Sequence, residues 1–402
     1  MTGTDASGMT GAVRDALEDA LAAARSRRDG EVASYIPELA LADPEALGIA
    51  VVGTRGRSYE AGDSRAEFTI QSVSKPFVYA LAIEKFGLDA VSARVGVEPS
   101  GEAFNEASFA PDGRPMNPMI NAGAMVVASL MAGDTAEQKS TAIVDGLSAF
   151  AGRKLSVDDA VFASELATGD RNRELAAMAG DALASSVDVA TGAYFRQCSA
   201  SVTAFDVAVM AATLAGFGRN PLTGERVVSE AVARWTVSVM ASCGMYDGSG
   251  EWLARVGLPA KSGVAGAIVA IDPGHFGIGT FAPPLDDKGN SVRGTALLET
   301  LSTEYGLHLF GHQGEYLSPV TSAVVGDDGT LRITLRGELG FAGAEDVLAA
   351  LDEPAERILV DLTGVTLLKP AAARLFIAAV ATGAAGDTPI ELLDPSGLLG
   401  FD

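Results

Sequence analysis

The chain has 402 residues, 48% of them hydrophobic, enough for a large core and more than one domain. A net charge of −23 at pH 7 opposes nucleic acid and anionic membrane as partners and leaves a small molecule or a protein. The two cysteines, Cys198 and Cys243, exclude a disulfide framework.

Residues 11–25 are expected to form an amphipathic helix, because Val13, Ala16, Leu17, Ala20, Leu21 and Ala24 recur at helical spacing. Residues 47–53 read as a strand. A second strand carries Phe68 and Ile70 on one face, and Ser72 follows. A helix is expected over 73–86, with Pro76 tolerated in its first turn and Gly87 at its end. Residues 101–121 are rich in Asn, Pro and Gly and read as a long ordered loop. Helical patterns dominate 122–214, with breaks near Gly169 and Gly192. Residues 264–272 read as a buried strand, ended by the turn signal Asp272-Pro273-Gly274-His275.

The last stretch changes character. Leu331, Ile333 and Leu335 alternate with Arg332, Thr334 and Arg336, the signature of a half-buried strand. A helix over 342–351, a strand over 358–362, a helix over 370–383 and a strand over 390–393 follow. This βαβαβ run is compact enough to fold alone. The expected boundary lies between His312 and Pro319, giving domains of residues 1–312 and 319–402. Residues 1–11 lack the basic and apolar regions of a signal peptide, and no clean apolar run reaches about 18 residues. A cytoplasmic protein without membrane association is expected.

Histidine narrows the chemistry. His275, His308 and His312 are the only three, so the first two thirds of the chain supply no imidazole base. No His/Cys cluster has zinc-ligand spacing, and neither metal nor organic cofactor is expected. Hydrolytic chemistry is therefore sought among Ser, Lys, Tyr and carboxylates. In Ser72-Val73-Ser74-Lys75, positions 72 and 75 share a helix face. Ser72 would stand over the positive end of a helix dipole, and Lys75 would accept its proton if burial lowers the amine's pKa. The bland reading is an N-cap serine beside a solvated lysine. Lys261-Ser262-Gly263 precedes an apolar segment, as does a Lys-Ser/Thr-Gly strand in penicillin-recognising serine enzymes. Its bland reading is a turn entering a core strand.

The segments between these motifs resemble the serine-dependent glutaminases. Gln71-Ser72-Val73-Ser74-Lys75-Pro76 resembles that family's nucleophile motif. Further matches are Glu98-Pro99-Ser100-Gly101 with Phe104-Asn105, and Asn117-Pro118-Met119-Ile120-Asn121-Ala122-Gly123-Ala124. Ser164-Glu165 with Gly169-Asp170-Arg171-Asn172, then Cys243-Gly244-Met245-Tyr246-Asp247, continue the series. It closes with Leu258-Pro259-Ala260-Lys261-Ser262-Gly263-Val264-Ala265-Gly266. The resemblance spans roughly residues 20–305. It implies an α/β fold of the β-lactamase/DD-peptidase type, a mixed sheet with a helical subdomain. It implies hydrolysis of L-glutamine to L-glutamate and ammonia, with Ser72 as nucleophile and Lys75 or Tyr246 taking its proton. Asn121, Glu165, Asn172, Tyr194 and Tyr246 would contact glutamine, and the backbone N–H groups of Ser72 and Val264 would hold the oxyanion. Lys261 and Ser262 would support the site.

Taken alone, each of these residues has a plainer reading. Glu165 would be a solvated helix charge, Asn172 a cap, Asn117 a turn residue, and Tyr194 core packing. Only their joint order and spacing favour the enzyme.

Residues 319–402 resemble a STAS domain through Leu335-Arg336-Gly337-Glu338-Leu339, Ile358-Leu359-Val360-Asp361-Leu362 and the 370–383 helix. Regulatory members of that family carry a phosphorylatable hydroxyl where this chain has Leu368-Lys369-Pro370-Ala371-Ala372-Ala373. The preferred reading is a structural or oligomerisation module in a homo-oligomer, with a protein or small-ligand partner as the alternative. Two rival functions stand beside this one: another amidohydrolase on the same fold, and a regulatory protein built on a degenerate enzyme domain.

Overall fold

The computed structural model describes residues 6–101, 106–310, 318–339, 346–347, 349–351, 353–368, 373–374, 377 and 388–399. The chain divides into two compact units, Met1–His312 and Gln313–Asp402. The first contains β1 (Gly48–Gly53), β2 (Ser58–Gly62), β3 (Phe68–Thr69), β4 (Ser156–Val157), β5 (Ala200–Val202), β6 (Ala260–Gly263), β7 (Ala267–Asp272) and β8 (Phe276–Phe281). Its main sheet has the order β2-β1-β8-β7-β6. Every pairing in it is antiparallel, which corrects the expected mixed sheet. Tight hairpins join β1 to β2, β6 to β7 and β7 to β8, and a short hairpin permits no parallel pairing.

Helices cover both faces. The Ala204–Ala215 helix is apolar nearly all round and buried except at the half-buried Phe205. It lies directly on β8, where a Cβ at Gly277 would fall 2.0 Å from Ala212 N and one at Gly279 would fall 2.2 Å from Ala204 O. On the other face Leu17 and Leu21 of the Ala6–Ala24 helix join Leu297, Leu298 and Leu301 of the Val292–Tyr305 helix. Together they cover Ile49, Ile268 and Ile278 of the sheet. A largely helical region holds the biggest apolar cluster, drawn from Lys75–Phe86, Asn121–Leu130, Ala136–Ala151 and Val187–Cys198 among others.

Several local expectations change. The segment around Phe68 and Ile70 gives only the two-residue β3, which pairs with β5 outside the main sheet. The 264–272 strand starts at Ala267, because Val264–Gly266 is the hairpin turn from β6, with Gly266 at φ +93°. The break near Gly169 is present, but Gly192 sits inside Val187–Cys198, where its missing side chain lets Ala136 approach. Not anticipated were β2, β8 and the Glu230–Cys243 and Val292–Tyr305 helices. Among its described residues the 101–121 loop has an isolated bridge between Phe109 and Pro115; Phe104 and Asn105 lie outside the described residues.

The second unit contains β9 (Val320–Val325), β10 (Thr330–Leu339), β11 (Arg357–Leu368) and β12 (Ile390–Leu393), in the order β12-β11-β10-β9. β10, β11 and β12 run parallel, and the unanticipated β9 pairs antiparallel with β10. Leu331, Ile333, Leu335, Ile358, Val360 and Leu362 form its core, as their alternation requires. Most of the expected 370–383 helix, including Pro370, lies outside the described residues, as do His312 and part of the 342–351 helix. Among the described residues no helix is long and apolar enough to cross a membrane.

Candidate active site

The turn bearing Ser72 is built by constraint. Ile70 N–H donates to Ala200 O at 2.8 Å, ending β3. Residues Gln71–Ser74 then form one 3₁₀ turn before the Lys75–Phe86 helix, so the α-helix starts two residues later than expected. Gln71 adopts φ +48°, a conformation that costs a side-chain-bearing residue about 1–3 kcal/mol. Two buried hydrogen bonds hold it: Ser74 Oγ donates to Gln71 O at 2.6 Å, and Gln197 Nε2 donates to Ser74 Oγ at 2.9 Å.

Lys75 is buried and donates from Nζ to Asn121 Oδ1 at 2.6 Å. Burial lowers its pKa to about 7. Asn121 Oδ1 also accepts from Tyr194 OH at 3.1 Å, and Asn121 Nδ2 donates to Asn172 Oδ1 at 2.9 Å. Lys261 is a second fully buried amine. Burial, then the charge on Lys75, pushes its pKa well below the ordinary lysine value. Its Nζ donates to Ser262 O at 2.8 Å and stands 3.8 Å from the centre of the Tyr246 ring. Tyr246 OH donates to the same carbonyl at 3.0 Å and shares a hydrogen bond with Ser72. Burial raises the Tyr246 phenol although the Ser72 bond opposes it. Tyr246 too sits in a left-handed conformation, φ +57°.

A cavity of about 330 Å³ adjoins this cluster, and Ser72, Asn121, Glu165, Asn172, Tyr194 and Val264 line it. Glu165 accepts from Tyr35 OH at 2.7 Å, and burial raises its carboxyl pKa. Lys261 and Ser262 do not line the cavity and reach Ser72 through Tyr246. Neither His275 nor His308 lines it, and Asn117 accepts from Met119 N–H in a turn. Sequence reading missed Tyr35, Gln71, Cys198 and Arg171, all cavity-lining. Gln71 lay inside the quoted nucleophile motif without a role. Tyr35 lay in Ser34-Tyr35-Ile36-Pro37, which carries no signal; only folding brings it to Glu165. A buried amine beside a helix-start hydroxyl, facing a cavity with one carboxylate and several amides, suits attack on a polar carbonyl compound bearing an ammonium group.

The family model described as Glutaminase matches residues 30–310. The chain belongs to the glutaminase family. The glutaminase of Corynebacterium glutamicum is 42% identical over 398 residues, covering 97% of this chain and 96% of that one. The glutaminase of Clavibacter michiganensis is 52% identical over 301 residues, covering 74% of this chain and 92% of that one. The crystal structure of Mglu in its glutamate form, 39% identical, superposes with a TM-score of 0.82 over 96% of this chain and 98% of that one.

Strand β6 packs closely on the turn that carries Ser72. A Cβ at Gly263 of β6 would lie 3.0 Å from Val73 Cγ2 and 3.3 Å from Val73 N, next to Ser72. Gly263→Ala is expected to lower the glutaminase's kcat about 10–100-fold by displacing the turn, with unchanged circular dichroism. A variant with wild-type kcat would show that the turn tolerates the shift.

Proposed function

We propose that this enzyme hydrolyses L-glutamine to L-glutamate and ammonia through an ester on Ser72. The observation that supports this most is the buried Lys75 amine, held by Asn121 one turn from Ser72, with a second buried amine, Lys261, against the Tyr246 ring. In this reading Ser72 Oγ attacks the side-chain amide carbon, and its proton passes to Lys75, directly or through Tyr246. Lys75 is the better base because its pKa of about 7 leaves much of it neutral, whereas the raised Tyr246 phenol stays protonated. The N–H groups of Ser72 and Val264 hold the oxyanion, a kind of contact worth about 3–4 kcal/mol in other enzymes. The proton on Lys75 passes to the amide nitrogen, the C–N bond breaks to release NH3, and water cleaves the ester. The test is acid quenching during turnover and mass spectrometry of the Ser72 peptide. A glutamyl adduct is expected, and steady turnover with no adduct on Ser72 would reject the ester.

Glu165 is assigned to the α-ammonium, and Asn121, Asn172, Tyr194 and Tyr246 to the carboxylate and amide of the substrate. Glu165→Gln keeps the shape and removes the charge. Its KM for glutamine is expected to rise about 10–100-fold, with kcat changed far less. An unchanged KM would free Glu165 from that role.

The reading extends to a cytoplasmic homo-oligomer. Residues 1–312 act as the catalytic domain, and 319–402 form a STAS-like module that serves assembly. A chain ending at residue 312 should sediment as a smaller assembly by more than the lost module's own mass; the same number of subunits would reject the assembly role.

A further inference from the structure

A second cavity, of about 240 Å³, lies against the turn that carries Tyr246; Met245 and Gly248 line it, and no residue lines both it and the substrate cavity. Its charges do not balance. Arg255 pairs with Glu251 at 3.1 Å and with Glu299 at 2.6 Å, and Lys288 pairs with Glu251 at 3.3 Å. Both cations are thereby engaged, while Asp286 and Asp287 also face the cavity and form no ion pair among the described residues. The second, independent feature is Asn290. It is 6% exposed, lines the cavity, and its Oδ1 accepts no hydrogen bond among the described residues. Thr295 Oγ1, also in the lining, has no hydrogen-bond partner among the described residues. Leaving a buried acceptor without a donor is unfavourable, so it calls for a ligand that brings N–H or O–H groups. The surplus of carboxylates calls for positive charge. Among the described residues no three carboxylate, His or Cys side chains converge as they would on a metal ion.

We propose that this cavity binds a small primary ammonium ion, which donates to Asn290 Oδ1 and sets its charge against Asp286. Occupancy reaches the active site electrostatically. The Asp286 charge is among the causes that raise the Tyr246 phenol, and a bound cation offsets that field.

The protein carries its own reporter. Trp252 lines the cavity, and Trp235, the other tryptophan, does not. In full-length Trp235→Phe protein, methylammonium chloride is expected to change tryptophan emission in a saturable way. Sodium chloride and tetramethylammonium chloride at the same ionic strength are expected to give no saturation. Adding Asn290→Ala should weaken the apparent affinity about tenfold or more. Asp286→Asn should do the same while keeping an oxygen for the Lys288 and Asn290 N–H groups that Asp286 Oδ1 accepts. Glu165→Gln, in the other cavity, should leave the curve in place. Equal responses to all three salts, a curve unmoved by both cavity variants, or a curve lost in Glu165→Gln would each overturn the proposal. If Asn290→Ala does not fold, Asp286→Asn decides alone.

Discussion

Ser72→Ala is expected to lower kcat for glutamine by at least about 10⁴-fold while glutamate still binds within a few-fold of wild type. The side chain is buried at the start of a helical segment, hydrogen-bonded to Tyr246, with Lys75 one turn on. Removing one oxygen leaves the other lining residues and the Lys75–Asn121–Tyr194 bonds in place, so the loss should fall on chemistry rather than binding. Residues that act as a unit are not additive. The Ser72→Ala/Lys75→Met double variant should therefore be no slower than the slower single variant by more than a few-fold. Ammonia release by purified Ser72→Ala at a rate near wild type would remove Ser72 from the nucleophile role. A double variant whose losses multiply would place Lys75 outside the proton transfer.

Lys75→Met is expected to be nearly inactive and yet more stable. The loss of a positioned base costs about 10²–10⁴-fold. The gain in stability comes from linkage. Burial lowers the amine from 10.5 to about 7, so between those pH values the unfolded chain binds more protons than the folded one. The cost of burying this amine is fully present below pH 7, shrinks as pH rises through the window, and is gone above pH 10.5. Methionine fills similar space without a charge, and Asn121 Oδ1 keeps its donor in Tyr194. The variant should be more stable by on the order of 2–4 kcal/mol at pH 6, with the difference narrowing at pH 9. Denaturant unfolding at the two pH values measures this. A variant less stable than wild type at pH 6 would mean that the ammonium is favourably paired in the fold. For wild type, kcat/KM should rise with pH through about 7 as Lys75 loses its proton. Glu165, with its raised carboxyl, adds to the acid side, so the limb should persist near 7 in Glu165→Gln.

Local signals were legible wherever one chemical feature decides the backbone. Gly87 and Pro76 bound the helix behind Lys75, the Asp272–His275 turn closes the β7–β8 hairpin, and alternation marks β10. They failed where tertiary packing overrode them. Gly192 reads as a break, yet it lets Ala136 approach within a continuous helix. In β8 the sequence Phe-Gly-Ile-Gly-Thr-Phe hides a strand, because two glycines make room for a helix lying on it. The mixed sheet became antiparallel because hairpin connections are a property of the folded path.

The sequence by itself determined which chemistry was open. With no histidine before residue 275, a serine–lysine pair four residues long and an ordered series of family motifs, it pointed to an amine-assisted glutaminase. What only the tertiary structure decided is the state of those groups. A lysine is an ordinary cation in water; Lys75 becomes a base near neutrality only because helices and strands distant in sequence exclude water from it. In the same way Tyr35 meets Glu165 across 130 residues, and Asn290, its acceptor without a donor among the described residues, comes to Gly248, through contacts that exist in no local stretch of the chain.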